Sequence, residues 1–200
     1  MAISASLIKE LREKTGVGIM DCKMALKECD EDIEKAIDHL RTKGIATAKK
    51  RSGRTTSEGQ VQSYIHPGGK IGVLMEVNCE TDFSGKTDDF TNFVKDLSMQ
   101  VAATNPIAID RERIPQHILA KERDIYSIMA KESGKPDNII EKIVDGKMKK
   151  FFTEACLLEQ PFIKNQDLTV QDLLNELIAK TGEKIIIKRF ARFQLGESDD

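Results

Sequence analysis

The chain has 200 residues, 40% hydrophobic and 32% charged, which is enough to bury one substantial core or two small ones. Its 31 Lys and Arg against 33 Asp and Glu leave a formal charge of −2, without the basic excess of a dedicated DNA-binding domain. With no Trp and 5% aromatics, the composition argues against base stacking, sugar platforms or flavin rings, and makes any exposed aromatic side chain worth following.

The first fifty residues read as a three-helix unit. Ser4 or Ser6 caps a helix with Leu7, Ile8 and Leu11 inward, stopped by a turn bracketed by Gly16 and Gly18. Asp21 caps a second helix carrying Cys22, Ala25, Leu26 and Cys29. Asp30 or Asp32 opens a third with Ile33, Ala36, Ile37 and Leu40, which Gly44 closes. Residues 41–54 then hold Arg41, Lys43, Lys49, Lys50, Arg51 and Arg54 with no acid. The run reads as a basic, solvated linker, with an acidic partner surface or RNA as the alternatives.

The second unit, residues 55–200, opens with two antiparallel strands. Val61 to His66 and Ile71 to Cys79 alternate with period two around Pro67-Gly68-Gly69. A helix at about 87–103 carries Phe90, Phe93, Val94, Leu97 and Val101 on one face. Pro115 and Pro136 open an antiparallel helix pair, and Thr169-x-x-Asp172 reads as a capping box for a last helix ended by Gly182. A final strand spans Lys184 to Leu195. The expected class is α+β: a small three-helix bundle (1–54) followed by an α+β domain (55–200) whose small antiparallel sheet is covered by helices on one face.

Nothing in the chain spells an enzyme. His39, His66 and His117 lie in no nucleophile, phosphate-loop or metal-pair context, and read as surface or capping imidazoles. Cys22, Cys29, Cys79 and Cys156 form no C-x-x-C pair and suit a reducing compartment. No apolar run reaches membrane-spanning length, so the expected protein is cytoplasmic, with no membrane partner and no cofactor.

Two segments stand out. Thr15-Gly16-Val17-Gly18-Ile19-Met20 presents apolar side chains on a glycine-bracketed turn, which either staple the bundle or meet a partner. This turn is similar to the binding loop of ubiquitin-associated domains. Thr81-Asp82-Phe83-Ser84-Gly85 sets an acid and an aromatic at a strand-to-helix corner, where Thr81 or Asp82 caps the helix and Phe83 either folds back on the core or projects as a wedge.

The segments Leu11-Arg12-x-x-Thr15-Gly16-x-Gly18-x-Met20-Asp21-Cys22-Lys23-x-Ala25-Leu26, Glu76-Val77-Asn78-Cys79-Glu80-Thr81-Asp82-Phe83, Leu157-Leu158-Glu159-Gln160-Pro161-Phe162 and Arg189-Phe190-Ala191-Arg192-Phe193 together resemble the bacterial elongation factor Ts family, in order along nearly the whole chain. The resemblance implies a guanine-nucleotide exchange factor of translation elongation. Such a factor binds elongation factor Tu carrying GDP, displaces its magnesium ion and releases the nucleotide. It implies that Thr81, Asp82, Phe83 and Ser84 form the magnesium-displacing element, with Ser84 standing where the family has valine. It implies also that Arg12, Ile19, Met20 and Lys23 contact the GTPase. The chain holds one copy of a sheet subdomain that longer members duplicate, and short members supply the second half as a homodimer. No stable nucleic-acid partner is expected.

Overall fold

The computed structural model describes residues 3–132 and 136–197. Three helices come first: α1 (Ala5–Thr15), α2 (Ile19–Glu28) and α3 (Ile33–Lys50). Ser4 caps α1 and Asp32 caps α3, its Oδ1 accepting the Lys35 N–H at 3.1 Å. The helices close over Leu11, Val17, Cys22, Leu26, Ala36 and Leu40. Two expectations are corrected. Gly18, not Asp21, is the N-cap of α2, and Asp21 sits in its first turn. Helix α3 does not close at Gly44 but continues to Lys50, so most of the expected linker is helix.

The cause lies in Gly44 itself. It is buried where α3 crosses the helix α8 (Val170–Thr181), and a Cβ there would lie 3.0 Å from the Asn175 carbonyl oxygen and 3.1 Å from Ala179 Cβ. Gly44 is the point of closest approach of two helices, and it costs α3 only about 1 kcal/mol of helix propensity. Arg41 fastens the same contact through Asp172 at 3.3 Å.

The rest is a three-stranded antiparallel sheet in the order β1 (Glu58–Ile65), β2 (Ile71–Cys79), β5 (Ile185–Gln194). Its inner face packs on α5 (Asp88–Thr104), capped by Thr87, and on α8, which carries the expected Thr169–Asp172 capping box and ends at Gly182. Met75, Val77, Phe90, Val94, Leu97 and Val170 are fully buried there. Between the strands run the short α4 (Asp82–Gly85) and the expected antiparallel pair α6 (Gln116–Glu132) and α7 (Asp137–Ala155). A two-stranded ribbon, β3 (Pro161–Phe162) with β4 (Asn165–Thr169), was not anticipated. Buried Gln100 and Gln160 anchor it: Gln100 Nε2 donates to Gln160 Oε1 and the Pro161 carbonyl, and Gln100 Oε1 accepts from the Ile163 N–H.

The sheet's outer face is bare among the described residues. The register sets Ile65, Gly72 and Phe193 in one row, Ser63, Leu74 and Ala191 in the next, and Val61, Glu76 and Arg189 in a third. In β1 the usual rule is inverted, since Val61 and Ile65 face out while Gln60, Gln62 and Tyr64 face in. The aliphatic side chains of β1 are thus on the face that no helix of the described residues covers.

Candidate functional site

The corner between β2 and α5 is held from several sides. Thr81 caps α4, its Oγ1 accepting the Ser84 N–H at 3.2 Å and donating to Glu183 Oε1 at 2.7 Å, while its own N–H donates to Glu183 Oε2. The buried Cys79 thiol donates to the Thr81 carbonyl at 3.1 Å, and the Gln60 amide donates to the Gly85 carbonyl at 2.7 Å. Beneath the corner Gly59 has φ of +138°, and a Cβ there would meet the Val77 carbonyl oxygen at 2.1 Å. Only glycine lets β1 pass this close.

Glu80, just before the cap, accepts from Arg51 Nη1 at 2.9 Å, Arg54 Nη1 at 2.8 Å and the Lys184 N–H at 2.6 Å. Desolvation raises its pKa, but the Arg54, Lys184 and Arg51 hydrogen bonds outweigh it and hold the carboxyl down to about 2.

On this base Phe83 stands 83% exposed, the most exposed large apolar side chain of the described residues. It does not fold back on the core. Asp82 beside it is exposed and paired with Lys86 one turn on, which raises the Lys86 pKa through that hydrogen bond. Ser84 is the exception in the set. It points inward, 3% exposed, and its hydroxyl has no hydrogen-bond partner. It therefore lies behind the projecting edge, not at its tip.

The second set lies on the first two helices. Val17 is buried and staples the bundle, whereas Ile19 and Met20 stand 54% and 67% exposed, with Lys23 and Met24 exposed one turn on along α2 and Arg12 exposed on α1. No hydrogen bond or ion pair among the described residues joins these side chains directly to Thr81, Asp82 or Phe83. The link is indirect: α2 packs on α3, and the end of α3 leads to Arg51 and Arg54, which grip Glu80.

The basic run turns inward. Arg41 pairs with Asp172, Lys43 with Asp21 at 2.7 Å, and Arg51 and Arg54 with Glu80, leaving Lys49 and Lys50 outward. The reading of a solvated linker is corrected, because residues up to Lys50 are helix and four of the six charges, those of Arg41, Lys43, Arg51 and Arg54, are partnered within the chain. Sequence reasoning missed Glu80 and Glu183 as supports. Their partners lie 26 to 104 residues away, and the one available signal was an unpaired basic run.

The remaining chemistry is sparse. Burial raises the Cys79 and Cys156 thiols to about 11, so neither supplies a thiolate at neutral pH. His39 meets Glu28 at 3.1 Å on a helix surface. No helix of the described residues is long and apolar enough to cross a membrane, and they contain no cluster of metal-ligating side chains.

Residues 8–197 match the family described as "Elongation factor TS". The chain is 64% identical to the elongation factor Ts of Desulfosudis oleivorans over 195 residues, covering 98% of both chains. It is 61% identical to that of Syntrophobacter fumaroxidans, again over 98% of both, and 60% identical to that of Desulfotalea psychrophila over 98% of this chain and all of the relative.

Proposed function

The chain belongs to the elongation factor Ts family and is a translation elongation factor, and we propose that it acts as the guanine-nucleotide exchange factor of elongation factor Tu, with Phe83 as its wedge. The observation that carries this reading is an exposed phenylalanine on a base fixed by Glu80, Thr81, Cys79 and Gln60. An aromatic ring left in water forgoes about 2 kcal/mol of burial, which a partner pocket recovers without having to order the corner first.

Exchange makes and breaks no bond. A factor that binds the nucleotide-free GTPase more tightly than the GDP form must weaken GDP by the same ratio. The exposed face of α2, with Ile19, Met20 and Lys23, and Arg12 beside it docks on the GTPase. Phe83 then enters between its elements and shifts those that hold the magnesium ion. Asp82 leaves Lys86 to meet groups on the phosphate side. The buried Ser84 keeps the turn in shape without touching the partner.

We propose further that the chain is a homodimer joined through the outer sheet face. Val61, Ile65, Leu74, Phe193 and Leu195 are all exposed there, around the Glu76–Arg189 pair. A bare apolar face of this kind on a small chain calls for a cover, and a second copy offers the same rows in isologous register.

The test is release of fluorescent GDP from elongation factor Tu chased with unlabelled GDP. Adding the wild-type chain should accelerate release in proportion to its concentration until saturation; release at the intrinsic rate would overturn the reading.

A further inference from the structure

We propose that Glu80 is a positioning residue for exchange: it clamps the base of the Phe83 corner to the end of α3, so that α2 and the wedge meet the GTPase as one preset body. This rests on the exchange reading above and adds to it a residue that need not touch the partner.

The geometry carries it. Glu80 has only 14% of its side chain exposed, and its carboxylate gathers three donors from two distant places: Arg51 and Arg54 in the turn after α3, and the Lys184 N–H just before β5. The clamp is itself braced. Lys184 Nζ donates to the Ser52 and Arg54 carbonyls, fixing the 51–54 turn from which both guanidinium groups come. Glu183, the neighbour of Lys184, holds the N–H and hydroxyl of Thr81. Consecutive residues 183 and 184 thus grip consecutive residues 80 and 81, and the Phe83 backbone begins two residues later.

Most of the binding groups proposed for the partner lie on two elements, α2 and α4. Helix α3 packs on α2, and its end reaches Glu80, so the carboxylate joins the module that docks to the module that displaces. A wedge preset in this way pays its ordering cost on folding rather than in the exchange step. Freed from the clamp, Phe83 would still be present and exposed but no longer aimed. The loss would fall on the rate of the bound complex, because the α2 docking face is unaltered.

The experiment compares stimulated release of fluorescent GDP from elongation factor Tu by wild type, Glu80→Ala, Phe83→Ala and the double variant. Glu80→Ala should lower the maximal rate by about tenfold with the half-saturating concentration within about twofold. In the Phe83→Ala background the same change should cost less than about twofold, because the clamp acts through the ring. Arg54→Ala removes one grip at an exposed side chain. It serves if Glu80→Ala does not fold, and should reproduce the dependence on Phe83 at about threefold. Equal slowing in both backgrounds, or a shift in half-saturation alone, would overturn the clamp while leaving the wedge intact. A Phe83→Ala chain as fast as wild type would overturn the wedge reading instead, and the clamp with it.

Discussion

Phe83 and Ser84 are adjacent and oppositely placed, the apolar ring in water and the hydroxyl in the interior. Each arrangement costs free energy in the isolated chain. The ring's cost is recoverable on a partner; the hydroxyl's is not, because an unpaired buried O–H has lost water and gained nothing. Ser84→Ala should therefore stabilise the chain by about 1 kcal/mol, read as a higher urea midpoint at unchanged slope, and a lower midpoint would show that the hydroxyl is satisfied in solution. Glu80 predicts a pH dependence. Its folded carboxyl sits at about 2 against an ordinary 4.5, so its contribution is fully present above about 4.5 and is lost as pH falls toward 2. Urea midpoints measured across that window should fall less steeply for Glu80→Gln than for wild type. Identical slopes would remove Glu80 from the acid response.

At the scale of elements, Gly44 decides how closely α3 approaches α8. Gly44→Val would drive a branched side chain into the Asn175 backbone and Ala179, and should destabilise by about 2 kcal/mol or more despite the glycine it removes. A thermal melt at or above the wild-type midpoint would contradict that packing. The same residue shows what the sequence disclosed and what it hid. Apolar periodicity and caps were local signals, and Ser4, Asp32, the Thr169–Asp172 box and Gly182 stand where they were expected, whereas α5 is capped by Thr87 and not by Thr81 or Asp82, because Thr81 caps the separate turn of α4. A glycine at the end of an apolar stripe, however, signals a helix stop and a close helix crossing equally well, and only the position of α8, some 130 residues on, separates them. For β1 the period of two was legible but not the face, because Val61 and Ile65 turn away from the core. At the candidate site the choice of residues came from the resemblance. The exposure of Phe83, the burial of Ser84 and the grip on Glu80 were not, since each depends on segments distant in sequence.

For the whole molecule, the bare sheet face and the Phe83 corner suit different uses. The sheet face is broad and apolar and suits a permanent cover; the Phe83 corner is narrow and stiff and suits a transient visit. Leu74→Asp would set a charge in the centre of the sheet face and should shift the sedimentation mass toward one chain's 22.4 kDa, while wild type runs at twice that value. A wild-type chain at monomer mass at micromolar concentration would remove the dimer from the account. The central claim concerns Phe83. In a stopped-flow measurement of fluorescent GDP leaving elongation factor Tu at saturating factor, Phe83→Ala should be about thirtyfold slower than wild type, with an unchanged urea midpoint. Release as fast as with wild type would contradict it.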